Sequence, residues 1–432
     1  MTFRVPAASA NQQHTSSPIM AEIAAGAVVA EQVVSTTIEG GAVAGYAIAK
    51  KTLPLNVTFT RIAVSDLIRR HSHTISVVDG KAYIFGGITE DDSLAGNEFH
   101  QLTLPLKRKD EHVDYKCIPA LPVDDGSDIP SPRAGHSASV FGKNIIIHGG
   151  RDQSGSSVEE GSKLWSFNTE TLKWTAMITQ GPKDCQFYHG SAIHGSILYL
   201  YGGFSRPAGT NDLRALPSLS SVDVTTGVWQ AHEDQTLSHV GTPSNIVFAQ
   251  DKVFTVGIDT KFQSPVHFYD LHEAAGTARW DTIPVPSNPL VSGPDTNRDG
   301  ATAVPISTGH GRNYLLYLFG QKRSDGQPSE LPPKSEDFFS DAWTLQLPSA
   351  SSSLAVAKDS VRDKLGMDSG EGSWAEAEVK LHKEEFSHEG KVHPGPRSFF
   401  AASNIDDKTV VLWGGLNPKQ EVEGDGWLIQ LE

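Results

Sequence analysis

Residues 131–150, SPRAGHSASVFGKNIIIHGG, constrain the fold more than any other stretch. Arg133 and His136 open it. An apolar run follows at 137–141, then a tight turn at Gly142-Lys143, then a second run at 144–148 that ends in Gly149-Gly150. Two β-branched-rich runs joined by a glycine-containing turn make a hairpin. The unit returns as HTISVVDGKAYIFGG at 73–87 and as HGSAIHGSILYLYGG at 189–203, and in all three the Gly pair begins 13 residues after the His. Self-similarity of this kind fixes an architecture of stacked, repeated units.

Each unit continues past its Gly pair. A polar loop leads to a third strand with an aromatic near its start, at 164–167 in the second unit, and about ten residues later a fourth strand opens at Trp174. Four strands, a Gly pair after the second and a Trp at the fourth resemble the Kelch repeat. The resemblance covers about 370 residues and implies an all-β propeller, in which radial repetition of four-stranded blades protects strand edges.

Six blades are expected. The first runs over 70–118, the second over 133–177 and the third over 186–232. The fourth and fifth are degenerate: Ser244 stands where His is expected, Gly257-Ile258 and Gly320-Gln321 replace the Gly pair, and 309–311 sits in an expanded turn. The sixth opens at Arg397 and keeps Gly414-Gly415 and Trp427. Residues 55–62 fit a fourth strand with no blade before it, and 426–431 a third strand with none after it. The N-terminal strand is therefore expected to complete the last blade. Residues 374–381 read as the fifth blade's outer strand, and 353–367 as an amphipathic helix within an insertion at about 349–372. Residues 1–54 form an extension, disordered over 1–18 and helical over 20–51; the propeller spans 55–432.

Glu22, Glu31 and Glu39 interrupt the Ala- and Val-rich stretch at 20–51, which argues against a membrane span. A net charge of −15, from 36 basic and 51 acidic residues, argues against wrapping a nucleic-acid backbone. Two cysteines, Cys117 and Cys185, are too few for a disulfide framework, which points to a reducing, cytoplasmic setting.

The loop leading into the first strand and the loop leaving the second open on the same face of a Kelch-type blade, and here both sets are long. The resemblance places partner binding on that rim. The residue three before the His position is Arg70, Arg133, Gln186, Gly241, Arg298 and Arg397 around the ring. Arginine offers carboxylates a bidentate fork, so the four cations are candidate contacts for an acidic ligand. Tyr188, Phe338, Phe339 and Phe399 are candidate aromatic anchors. His73, His136 and His189 occupy equivalent positions, and equivalence predicts equivalent structural bonds rather than one metal. No metal ligand set, cofactor fingerprint or catalytic residue is read in the chain. The sequence reading is a stand-alone, monomeric interaction module that binds a protein, an acidic peptide or a small acidic ligand. The alternative is small-molecule binding or catalysis in the axial pocket, as in a natural-product pathway protein or a specifier-like lyase or isomerase.

Overall fold

The structure, a computed structural model, describes residues 51–104, 114–182, 185–232, 245–257, 265–271, 279–283, 293–309, 311–323, 335–349, 354–380 and 392–432. The disordered and helical readings of 1–51 lie almost wholly outside them. The chain divides into two compact units: Leu53–Pro348 with Glu371–Glu432, and Met1–Thr52 with Ser349–Gly370. The described part of the second contains the α-helix Leu354–Lys364. Arg362 in its last turn donates to the Asp368 carbonyl, which secures the chain leaving the helix.

The first unit is a six-bladed β-propeller. Blade 1 comprises Thr74–Val78, Lys81–Phe85, Phe99–Thr103 and Tyr115–Ile118, paired antiparallel in that order. Blade 2 comprises Ser137–Phe141, Asn144–His148, Leu164–Asn168 and Lys173–Met177. Blade 3 has Gly190–His194, Ile197–Tyr201, Leu219–Asp223 and Trp229–His232. The degenerate sequences of blades 4 and 5 also complete four strands, from Val247–Ala249 to Trp280–Thr282 and from Thr302–Gly309 to Trp374–Glu376. Blade 6 takes Ala401–Asn404, Thr409–Trp413 and Asp425–Leu431 from late in the chain and Asn56–Val64 from its beginning. Val57 lies opposite Leu431 and Val64 opposite Asp425. The first strands of successive blades touch one another all the way round, including blade 6 against blade 1.

The core is divided among the blade interfaces. Ile145 and Ile147 pack with blade 1, whereas Ile146 between them packs with blade 3. Val410 and Leu412 face blade 5, and Val411 and Trp413 face blade 1. Successive side chains of a strand point to opposite faces, so a strand buried on both faces is apolar at every position. This is why the second strands read NIIIH and TVVLW. Trp174 fills the first interface, 5.3 Å from both Phe85 and Phe99 of blade 1.

The expectation of one outer strand over 374–381 is corrected. Trp374–Glu376 pairs within blade 5, but Glu378–Val379 leaves it and pairs parallel with Asn56–Val57 of blade 6. The same device recurs: Pro122, leaving blade 1, bridges Trp174 of blade 2, and Gln180, leaving blade 2, bridges Val228 of blade 3. The departing segment thus covers the next blade's edge, which would otherwise present unpaired N–H and C=O groups.

The Gly pairs have two separate duties. The second residue of each pair donates its N–H to the next blade: Gly87 to Arg133 O (2.9 Å), Gly150 to Gln186 O (3.0 Å), Gly320 to Arg397 O (2.9 Å) and Gly415 to Arg70 O (3.0 Å). In blade 5 the expected Gly320-Gln321 is corrected to Phe319-Gly320, both at positive φ. The first Gly leaves room for that approach. A Cβ on Gly86 would lie 2.5 Å from the Arg133 carbonyl oxygen and 2.7 Å from the His136 ring, and one on Gly149 would overlap the Gln186 carbonyl. Gly149 has φ +68° and Gly142, in the turn of the same hairpin, φ +59°, but a Cβ at 142 meets nothing within 4 Å. Gly149→Ala should therefore cost about 3 kcal/mol, a left-handed penalty plus the overlap, and Gly142→Ala about 1 kcal/mol. Urea unfolding of the two variants measures the difference; equal losses would refute the account.

Candidate functional site

In blades 1, 2, 3 and 6 short bridges join the loops that flank the first two strands: His71 with Ile88, Ala134 with Arg151, Phe187 with Phe204 and Ser398 with Leu416. In blade 5 Arg298–Asp299 pairs with Gln321–Lys322.

The four ring arginines lie inside the blades. Arg133 is completely buried and sets both NH groups on the Glu160 carboxylate, each at 2.7 Å. Arg298 does the same with Asp341 (2.5 and 2.7 Å), and Arg397 bonds Asp425 at 2.8 Å. Each also reaches a carbonyl next to or within its own Gly pair: Gly149, Phe319 and Gly414. Third-strand tryptophans share the carboxylates, Trp165 on Glu160 and Trp343 on Asp341. The forks of these arginines are engaged in buried clamps that hold the inbound loop of each blade. Blade 1 departs from the pattern. Arg70 bonds Gly86 O and the Nε2 atom of His100 (2.9 Å). Since Arg only donates, His100 accepts at Nε2 and carries its proton on Nδ1, toward the Tyr115 hydroxyl at 2.9 Å. Burial lowers Arg70 to about 10.

The histidines are wedges between blades. His136 Nε2 meets Thr74 of blade 1 at 2.9 Å, and His189 Nε2 meets Ser137 of blade 2 at 2.8 Å. The residue equivalent to Thr74 and Ser137 in blade 6 is Ala401, which has no hydroxyl to offer His73. Among the described residues neither ring nitrogen of His73 has a partner. Ala401→Ser should supply the missing bond and raise stability by about 1 kcal/mol. A denaturation midpoint equal to or below wild type would count against this explanation of the orphaned ring.

Burial also holds these rings neutral. It pushes His136 and His71 down to about 3 and His148 and His100 to about 4, with cations adding to the shift at His71, His100 and His136; His73 and His189 also lie well below the ordinary value. The unfolded chain protonates its histidines near pH 6.5. Between about pH 6.5 and pH 4 the unfolded state therefore binds more protons, and stability falls as pH falls. The loss is on the order of 1 kcal/mol per pH unit for each such His. Stability measured at pH 7.5 and 5.5 should differ by several kcal/mol; a flat profile would refute it.

At the axial mouth, the residue just before the His position forms a belt of backbone bonds. Phe399 N donates to Gly300 O, Ser72 N to Phe399 O, Gly135 N to Ser72 O and Tyr188 N to Gly135 O, at 2.6–2.9 Å. All five residues have φ between +52° and +64°. Three of the five are not glycine, and for bulky residues such as Tyr188 and Phe399 that backbone is strained. Blades 3 and 6 stand opposite each other, and their two rings meet across the axis with centroids 5.6 Å apart, edge to face. The Tyr188 hydroxyl also bonds Ser72 at 2.9 Å. Each ring lies against the belt glycine of the preceding blade, Gly135 or Gly300, where a Cβ would crowd it. Both rings are half-buried. Both rings line an open axial cavity of about 140 Å³, together with Ser72, His73, His136 and His189 among others.

The structure thus brings Tyr188 and Phe399 together. Phe338 lies apart from them, half-buried and bridged to Gln321, while Phe339 lies over the Arg298 guanidinium, 3.7 Å from its ring centroid. The positive φ shared by Ser72, Tyr188 and Phe399 was missed in the sequence. The register against Gly135 and Gly300 is the signal for it.

Known proteins resemble this architecture. Residues 72–320 match the KLHDC2/KLHL20/DRC7 Kelch-repeats domain, and the chain belongs to that Kelch-repeat family. It is 24% identical over 298 residues to a leucine-zipper-like transcriptional regulator 1 homolog of Drosophila melanogaster, covering 66% of this chain and 27% of the relative. It is 34% identical over 135 residues to human Kelch domain-containing protein 3 (31% of this chain, 32% of the relative) and 25% identical over 182 residues to human host cell factor 2 (37% and 22%). The chain therefore spans about a third or less of the length of these relatives. The solved structure of YjhT aligns with a TM-score of 0.55 at 14% identity, covering 84% of this chain and 98% of that one, which shows a shared fold.

Proposed function

We propose that the propeller is a protein-interaction module that takes an extended segment of a partner protein across the axial mouth. The Tyr188–Phe399 pair carries this reading. Two large aromatic rings occupy backbone positions that glycine fills without strain, at the one place where all the blades converge, and they remain half-exposed. Strain kept where packing alone does not require it marks a position held for contact, and rigid aromatic surface is what interface anchors are made of.

The surrounding rim supports the reading because it is stitched before any partner arrives. Gln153 of blade 2 accepts from Leu94 N and donates to Asp92 O of blade 1, and Ser157 of blade 2 exchanges bonds with the Arg206 backbone of blade 3. A preorganised surface loses little entropy on binding. Membership of the Kelch-repeat family agrees with a protein partner. No helix among the described residues is long and apolar enough to cross a membrane.

Replacing the rings separates their two roles. Tyr188→Gly and Phe399→Gly relieve about 1 kcal/mol of left-handed strain each while removing ring contacts, so stability should change little. Binding of peptides selected on the wild-type protein from a random display library should weaken at least tenfold. Selected peptides that bind the variants as tightly as wild type would place the interaction elsewhere and sink this reading.

A further inference from the structure

With the ring arginines closed in clamps, two other guanidiniums on the rim stand out. Arg151 directly follows the Gly pair of blade 2. Blades 1, 3 and 6 place Ile88, Phe204 and Leu416 at that position. A cation thus replaces an apolar residue at one point of the ring. Arg206 lies three residues past the Gly pair of blade 3.

The two converge on Gly155. Arg206 NH1 lies 3.2 Å, and Arg151 NH1 3.7 Å, from where a Cβ on that glycine would sit, so the two NH1 atoms are no more than about 7 Å apart. Gly155 has φ +79°, a left-handed backbone that suits glycine, and a side chain there would enter the space next to both guanidiniums. Neither arginine has an ion pair among the described residues. The Arg206 side chain has one long bond, to Gly155 O at 3.4 Å, and the Nε atoms of both are shut off from solvent without a partner. The carboxylate nearest in sequence is Asp152, and its Oδ1 accepts from the Ser154 hydroxyl and the Ser156 N–H, closing the turn that presents Gly155; it makes no ion pair with either arginine among the described residues. His71, near Arg151, is buried and neutral.

We infer that Arg151 and Arg206 form a receptor for a carboxylate, supplied by an acidic side chain of the partner segment that lies across the mouth. The inference rests on the proposed rim binding and names the chemistry that fills it. Two like charges held together by stitched loops, in a chain of net charge −15, repel one another until an anion joins them. Paired forks suit the planar geometry of a carboxylate, and lysine is no substitute for them.

The test needs no identified partner. The side-chain Nε–H signals of Arg151 and Arg206 are followed by nitrogen–proton correlation NMR on the full chain, assigned through Arg151→Lys and Arg206→Lys. N-acetyl-glutamate amide, its glutamine analogue and inorganic phosphate are titrated in turn. The inference expects saturable shifts of both signals with the glutamate compound and none with the glutamine one. It expects at least tenfold weaker binding, read from belt amide shifts, in the double Lys variant, with the indole signal of Trp165 unmoved as the sign of an intact fold. No saturable shift, or equal binding by the double variant, overturns it. Phosphate binding ten times tighter than the glutamate compound overturns the carboxylate assignment in favour of a phosphoryl group. Should peptides be selected on the rim while these shifts stay absent, the carboxylate receptor fails and the interaction module stands. Should the shifts appear and no peptide be selected, the reverse holds.

Discussion

The propeller depends on the close approach of backbones at the Gly pairs. Gly87 N–H reaches Arg133 O in the next blade. The Arg133 side chain holds Gly149 O in its own blade, and Gly150 N–H reaches Gln186 O in the one after. Backbone bond, guanidinium clamp and backbone bond follow one another from blade to blade. The apolar interfaces supply most of the gain from burial, but they are slippery, since apolar contact is non-directional. The glycine–carbonyl bonds set the angle and register at which those interfaces close.

The buried acids and arginines belong to the same scheme. A buried ion pair adds little net stability over an apolar equivalent, yet losing one partner is strongly destabilising. Glu160, Asp341 and Asp425 therefore act chiefly to hold one geometry, aided by tryptophan N–H groups at the first two. Arg70 shows how far the scheme bends: in blade 1 a neutral His takes the place of the carboxylate at the fork.

Most of the fold was legible because its signals are local and repeated. The hairpin turns, the Gly pairs and the strand aromatics located all six blades, and the incomplete strands at 55–62 and 426–431 located the closure. The edge-covering role of Glu378–Val379 was not legible, because two residues pairing with Asn56–Val57 leave no periodicity to read. The site was harder still. Arg133, Arg298 and Arg397 look like free cations in the sequence, since their partners Glu160, Asp341 and Asp425 lie 27 to 43 residues away. Arg151 differs from Ile88, Phe204 and Leu416 at one aligned position, a signal that emerges only once the register is known. Tyr188 and Phe399 were visible as aromatics, but their backbone strain and their meeting across the axis belong to three dimensions.

The pairing of Asn56–Val64 with Asp425–Leu431 also dictates an order of assembly. Five of the blades can complete their sheets from sequence-local strands as they leave the ribosome, whereas the sixth joins segments so distant that Trp413 bonds Ile68 across 345 positions. Until the last strand emerges, the early strand lacks its antiparallel partner, and blades 1 and 5 each hold an apolar face without its neighbour. Translation thus opens an interval of exposure that ends only when the late strands arrive. Exposed apolar faces and unpaired strand edges are what make partly built chains prone to misassociation.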